Sequence, residues 1–336
     1  MTTRRRGIVI GAAALFAAAI GRPFAQTPGK VYRIGYLVPR DGPSAFDEAL
    51  LQGLRERGYV VGRNLAIEYR WAGNDASRLR PLAEDLVRSQ VDVIVVPTAV
   101  AAHAALSATR TIPIVMTSVP DPVGMGLVAS LARPGGNVTG LTIASTELAR
   151  KRLQVVRELV PGATRIALLG LRVPSDAKGT ERASSFDLMA SEMLAAAQSM
   201  DVALVTRVVA HRDELPDAFA QFRMERAQAL VVQINPVTFE HRATVIELAA
   251  RQRLPALYEV RVFVDDGGLV SYGPDVADGF RRAASHVDRI LRGAKPGDLA
   301  IEGPNKFELV INLKAAQALG LVIPQPLLLR ADEAIR

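Results

Sequence analysis

The 336-residue sequence contains no cysteine, which excludes disulfides, thiolate metal sites and cysteine nucleophiles. Its four histidines are far apart and form no HExxH pair. A GxSxG nucleophile elbow and a GxxxxGK[ST] phosphate loop are also missing. We therefore expect a protein that is not an enzyme and that needs no metal or cofactor.

Aromatic residues and clustered positive charge are both scarce. Aromatic side chains make up 5% of the sequence, and four of the 41 basic residues lie within residues 1–25, where no acidic residue is found. The rest of the chain is therefore only weakly basic and contains no long Lys/Arg block. This composition does not indicate a nucleic-acid partner.

The first residues have the pattern of an export signal. Three arginines at positions 4–6 precede 15 uncharged, mostly apolar residues at 7–21. That run is shorter than the roughly 20 residues of a membrane span and suits a signal peptide. We expect residues 1–25 to be cleaved and the protein to reach the periplasm, although Pro23 fits the cleavage site poorly and an uncleaved anchor is the alternative. The paired arginines are also typical of twin-arginine signals.

Short β-type runs alternate with helix-type runs through the rest of the chain. Residues 32–38 and 91–96 predict strands of a buried parallel sheet, and Ser44 with Asp47 predicts a helix start. The alternation restarts after residues 161–162, a Pro-Gly pair, and roughly 310 residues exceed the usual size of one core. The sequence therefore predicts an α/β protein with two doubly wound parallel-sheet lobes.

Ligands of open parallel sheets bind beyond the carboxyl ends of the strands, where helix N-termini meet. Polar and aromatic residues at the ends of the predicted strands and near the bends between lobes are therefore the candidate ligand-binding residues. They are Ser44, Phe46, Thr98, Ser118, Asp121, Thr142, Asn235, Tyr258, Glu259 and Tyr272.

Most of these residues also have a purely structural interpretation. The alternatives are a helix N-cap for Ser44 and Thr98, a turn before proline for Asp121 and Asn235, a solvated loop charge for Glu259, and a hinge position for Tyr272. Trp71, the only tryptophan, is assigned to packing.

Four sequence blocks support a family resemblance. They are GLVASLARPGGNVTGLT (126–142), KRLQVVRELVP (151–161), GGLVSYGPD (267–275) and RILRGAKPGDLAIEGPNKFELVINLKAAQALGLVIP (289–324). From residue 32 to its C-terminus the chain resembles the ABC transporter substrate-binding protein family that includes tryptophan- and tyrosine-type binders. That family has the type I periplasmic binding protein fold.

The resemblance implies how the two lobes are assembled. It places three crossovers near Thr142, Tyr272 and Pro304. The N-terminal lobe would then comprise residues 26–142 and 273–303, and the C-terminal lobe residues 143–272 and 304–336.

The resemblance also implies the solute-binding component of an ABC importer, whose partners are a small molecule and the membrane permease. The chain itself would be a monomer. An amino acid is the expected ligand, with its carboxylate at Ser44 and Thr98 and its ammonium group at Asp121 or Glu259. Tyr258 and Tyr272 would face an aromatic side chain.

Three other functional classes fit the same fold. One is an exported sensory protein, and another is an exported hydrolase, for which the nucleophile motif is missing. The third is a sugar-responsive transcription regulator, whose DNA-binding headpiece would occupy the place of the export signal.

Overall fold

The computed structural model describes residues 30–144, 148–171 and 185–336. The predicted signal peptide thus lies outside the described residues. The sequence also predicts a helix over residues 184–200, and its first residue, Ser184, lies outside them too. All the elements described below lie within residues 31–336.

The first sheet has five parallel strands. They are β1 (Tyr32–Val38), β2 (Leu65–Trp71), β3 (Val93–Val96), β4 (Ile114–Val119) and β5 (Val138–Thr142). Their spatial order is β2-β1-β3-β4-β5, and three helices connect them: α1 (Ala45–Glu56), α2 (Leu79–Arg88) and α3 (Ala99–Ala108). All four residues of β3 are buried because helices cover both faces of the sheet.

The second sheet has seven strands in the order β12-β11-β10-β9-β8-β6-β7. They are β6 (Arg165–Gly170), β7 (Ala203–Val208), β8 (Ala229–Val232), β9 (Ala256–Tyr258), β10 (Val270–Pro274), β11 (Phe307–Asn312) and β12 (Glu333–Ile335). The helices that follow β5 are α4 (Ala149–Leu159), α5 (Ser185–Gln198), α6 (Leu215–Met224), α7 (Pro236–Glu240), α8 (Arg242–Arg251), α9 (Val262–Asp265), α10 (Val276–Leu291), α11 (Leu313–Leu319) and α12 (Gln325–Arg330). The two α/β lobes that the sequence predicts are confirmed.

The second sheet is not parallel throughout, because β10 and β11 form an antiparallel pair. The chain leaves β10 for α10, which packs against α1 and β4 of the first sheet. It then forms a bridge from Glu302 to Leu141 and enters β11. Strand β11 therefore starts where β10 ends and runs in the opposite direction.

The apolar spacing of residues 238–253 predicts one helix, and this prediction is wrong. The segment forms two helices, α7 and α8, separated at His241, whose backbone leaves the helical region. Helix α7 begins instead at a capping box between Asn235 and Thr238, with Pro236 in its first turn. Short as it is, α7 brings its residues to the carboxyl end of the second sheet.

A membrane-spanning helix is not found in the described ranges, where no helix is both long and apolar enough.

Candidate ligand-binding cleft

A cavity of about 1930 Å³ lies between the carboxyl ends of the two sheets. Loops after β1, β3 and β4 line one wall, and the loop and helix after β8 line the other. Small-molecule pockets are usually about 300–1,000 Å³. The cavity is therefore large enough to admit a small ligand between the walls.

On the first wall, Asp47 fixes the loop that leads into α1. Its carboxylate is buried and accepts hydrogen bonds from the Tyr36 hydroxyl at 2.5 Å, the Ser44 backbone N–H at 2.7 Å and the Arg40 guanidinium. Burial, followed by the charge of Asp47, raises the pKa of Tyr36 well above its ordinary value. The same Arg40 guanidinium lies over the Trp71 ring, 5.4 Å from its centroid.

Ser44 lines the cleft at the N-terminus of α1. Its backbone N–H is hydrogen-bonded to Asp47, but its hydroxyl is not hydrogen-bonded to any residue that the structure describes. The Ser44 Oγ atom is inaccessible to solvent and has no hydrogen-bond partner within the described parts of the chain. A buried hydroxyl without a partner is costly, so it identifies a place where a ligand group or a water molecule can bind.

Thr98 and Ser118 lie on the same wall. Thr98 is the N-cap of α3, and its Oγ accepts a hydrogen bond from the Ala101 N–H at 3.4 Å. The Ser118 hydroxyl donates to the Pro97 carbonyl at 2.8 Å and so holds the two loops together. The N-termini of α1 and α3 thus both reach the cleft, where their first-turn N–H groups favour an anion.

The second wall is formed by α7. Asn235 caps this helix, accepting a hydrogen bond from the Thr238 N–H at 3.0 Å, and lines the cleft. Glu240 is the last residue of α7 and also lines the cleft. Its Oε2 atom is buried and has no hydrogen-bond partner among the residues described. A carboxylate in this state favours a cationic partner.

Three phenylalanines connect the walls. The rings of Phe46 on α1 and Phe239 on α7 have centroids 5.4 Å apart, and Phe46 also stacks on Phe280 of α10 at 5.3 Å. All three line the cleft. The site thus combines an apolar aromatic region with the polar ends of helices.

Of the ten predicted site residues, the structure brings five together in the cleft: Ser44, Phe46, Thr98, Ser118 and Asn235. The other five do not line this cavity. The Asp121 carboxylate accepts from the Gly124 N–H at 2.8 Å within its own turn. Thr142 ends β5, and its hydroxyl donates to the Pro120 carbonyl at 2.9 Å.

Tyr258 and Glu259 are buried in the second lobe, and Tyr272 is half-buried there. The Tyr258 ring is buried and stacks on Phe263 at 4.8 Å, and burial raises its pKa. Tyr272 accepts a hydrogen bond at its carbonyl from Arg152. Glu259 is paired with the same arginine at 2.5 Å, so it is not the solvated loop charge considered from sequence. Burial lowers the pKa of Arg152, and the Glu259 charge opposes that effect.

Glu240 is a cleft residue that the sequence pattern does not single out. In one continuous helix from residue 238 this glutamate would lie in the first turn, where negative charge is ordinary. In the structure it ends α7, where the helix dipole disfavours a carboxylate. Predicting the position of Glu240 would have required predicting the helix break at His241. No glycine or proline at this break indicates it in the sequence.

Metal binding finds no support in the described ranges, which contain no group of three or more His, Asp or Glu side chains placed to hold an ion.

Comparison with known proteins identifies the class. The sequence profile of the ABC transporter substrate binding protein family matches residues 33–335. The chain therefore belongs to this family, whose members are substrate-binding proteins rather than enzymes. The two-lobed architecture is that of type I periplasmic binding proteins.

Three relatives show how similar individual proteins are. A tyrosine-binding protein of Clostridioides difficile (strain R20291) is 26% identical over 289 residues, which are 86% of this chain and 80% of the relative. A conserved domain protein from Vibrio cholerae is 28% identical, with a TM-score of 0.82 over 91% of this chain and 100% of that one. An ABC domain from Streptococcus pneumoniae, in complex with L-Trp, is 26% identical, with a TM-score of 0.80 over the same shares.

Proposed function

We propose that the protein captures a small molecule in the cleft and delivers it to the permease of an ABC importer. The observation that carries this proposal is the pair of buried polar atoms without partners, Ser44 Oγ and Glu240 Oε2, on opposite walls of one cavity. A ligand that bonds to both atoms stabilises the approach of the lobes, because it contacts both walls only then. The lobe boundaries given above, periplasmic location after signal cleavage and a monomeric state belong to the same proposal.

The ligand that fits this polarity is an amino acid. Its carboxylate would accept from the Ser44 hydroxyl and the N-termini of α1 and α3, with Thr98 beside them. Its ammonium group would donate to Glu240, in place of Asp121 or Glu259. The phenylalanines that line the cleft favour an aromatic side chain, as do the tyrosine and tryptophan named for two relatives.

The test is calorimetric titration with L-tyrosine and L-tryptophan, each compared with analogues that lack one charged group. We expect removal of the ligand ammonium group to weaken binding by about 10- to 100-fold in the unaltered protein, since hydrogen bonds to charged groups contribute about 1.5–3 kcal/mol. In E240Q, binding of the intact amino acid falls while the deaminated analogue is affected little. In S44A, binding of the intact amino acid also falls, while binding of the analogue that lacks the carboxylate is affected little.

Glu247→Gln is the matched control, since Glu247 is an exposed glutamate of α8 that does not line the cleft. This variant should bind as the unaltered protein does. Failure of every amino acid to bind would reject the amino-acid ligand. Equal discrimination against the deaminated analogue in E240Q and in the unaltered protein would reject the role of Glu240.

A further inference from the structure

Arg152 of α4 is buried in the second lobe, with 0% of its side chain exposed. Its Nη1 atom bonds to Glu259 Oε1 at 2.5 Å, and its Nε–H donates to the Tyr272 carbonyl at 3.0 Å. Glu259 is equally enclosed, with 1% exposure. Removing two charges from water costs about as much as their attraction returns, so stability alone is a weak reason for such a pair.

The second oxygen of Glu259 connects this pair to the cleft. Glu259 Oε2 accepts a hydrogen bond from the Ile234 backbone N–H at 2.7 Å. Ile234 and Asn235 line the cleft, and Asn235 caps α7, which ends at Glu240. The Arg152 side chain therefore orients the carboxylate that holds the start of the ligand-facing segment 234–240.

The same pair also contacts the strand that leads out of the lobe. Tyr272 and Gly273 belong to β10, after which the chain crosses to α10. At Gly273 an added Cβ atom would lie 1.8 Å from the Glu259 carbonyl oxygen, so the backbone of Glu259 packs directly on this strand. The buried Arg152 thus contacts both Glu259, which binds the start of segment 234–240, and strand β10, which precedes the crossover to α10.

We propose that Glu259 is a positioning residue for ligand binding: its carboxylate, paired with Arg152 and bonded to the Ile234 N–H, fixes segment 234–240 relative to β10. This inference rests on the proposed function of the cleft, since it assigns the geometry of one of its walls. The Glu259 side chain does not line the cleft, so it acts on a ligand through the segment that it holds.

Two double variants separate positioning from stability. In R152M/E259L both charges are replaced by apolar groups and the Ile234 N–H loses its acceptor. In R152M/E259Q the charges are equally absent, but the glutamine carbonyl still accepts from that N–H. Each is measured for amide hydrogen exchange of segment 234–240 and for affinity toward L-tyrosine and L-tryptophan.

We expect R152M/E259L to exchange the Ile234 amide at least about tenfold faster and to bind about tenfold more weakly, as an unsatisfied buried N–H costs about 1–3 kcal/mol. R152M/E259Q should recover most of both losses. The control is R330M/E158L, which removes an exposed ion pair of α4 and α12 and should change neither quantity.

Equal behaviour of the Leu and Gln variants would overturn the proposal, as would faster exchange with unchanged affinity in a protein that binds. If the unaltered protein binds neither amino acid, the amino-acid form of the proposed function fails. The exchange of Ile234 then still decides whether the acceptor at Glu259 positions the segment: a difference between the Leu and Gln variants supports it, and no difference overturns it.

Discussion

Phe46 and Phe239 contact each other across the cleft although they follow strands of different sheets, with ring centroids 5.4 Å apart and planes inclined by 30°. Phe239 also has the Arg242 guanidinium over its ring at 5.3 Å. The walls therefore hold an apolar contact of their own. Its strength bears on how closed the cleft is before any ligand binds.

Removing this contact by F239A should open the ligand-free protein. An aromatic pair contributes about 0.5–1.5 kcal/mol, so the ratio of closed to open molecules should fall roughly 2- to 12-fold. The measurement is the radius of gyration from small-angle X-ray scattering, which we expect to increase. The control is M224A, at a side chain that is 76% exposed. An unchanged radius in F239A would mean that this contact does not set the lobe arrangement.

Asp47 is a second point where one side chain decides the geometry of the cleft. Because Asp47→Asn keeps one acceptor oxygen but places an amide beside Arg40, we expect it to lower the free energy of unfolding by about 1–3 kcal/mol. Urea unfolding measures this. D41N, six residues earlier and exposed, should be within about 0.5 kcal/mol of the unaltered protein. Similar curves for D47N and D41N would show that the loop does not depend on the buried carboxylate.

Much of this architecture is predictable from local pattern. The run at 91–96 indicates a buried strand because only apolar, β-branched residues suit a strand covered on both faces. The contact between the Asp47 carboxylate and the Ser44 N–H is likewise predictable from the sequence, because both residues lie within one turn. Five cleft residues follow from the rule that parallel strands end at one edge.

What could not be predicted depends on contacts distant in sequence. Glu259 and Arg152 are 107 residues apart, and nothing local announces that the glutamate is paired inside the lobe. The side chains of a strand point alternately to the two faces of the sheet. The packing of the whole sheet, and not the local sequence, therefore decides that the Tyr258 side chain points into the lobe. Glu240 depends on a helix break at His241 that the apolar spacing of residues 238–253 does not indicate.

Two helical glycines should respond oppositely to alanine. At Gly53 of α1, an added Cβ atom would lie 2.2 Å from the Arg281 carbonyl oxygen of α10, so G53A must push these helices apart. At Gly279 of α10, the nearest atom, the Thr117 carbonyl oxygen, would be 3.4 Å away. We expect G53A to destabilise by about 1–3 kcal/mol and G279A to stabilise by about 0.5–1 kcal/mol.

Thermal and urea unfolding of both variants test this packing. Each substitution improves intrinsic helix propensity by the same amount, so that contribution cancels in the comparison. Opposite signs of the change in unfolding free energy then reflect the different space around the two glycines. A stabilising G53A would contradict the close approach of α1 and α10.

His286 of α10 should make stability depend on pH. Its ring is 1% exposed, its Nε2 atom lies 3.0 Å from the Ala300 carbonyl oxygen, and its buried Nδ1 atom has no partner in the described part of the protein. Burial lowers the pKa of His286. The Ala300 carbonyl and Glu302 act to raise it, and Arg289 and Arg282 act to lower it further.

Because the folded-state pKa of His286 lies below its ordinary value of about 6.5, the unfolded chain takes up the proton first as the pH falls. The contribution of His286 to stability is therefore complete above about pH 7 and declines below it, by at most about 1.4 kcal/mol per pH unit. H286Q does not titrate, and its amide can still donate to the Ala300 carbonyl. We expect the difference in unfolding free energy between the unaltered protein and H286Q to shrink between pH 7.5 and 5.5, measured by urea unfolding. A difference that stays constant over this interval would show that His286 is protonated equally in the folded and unfolded states.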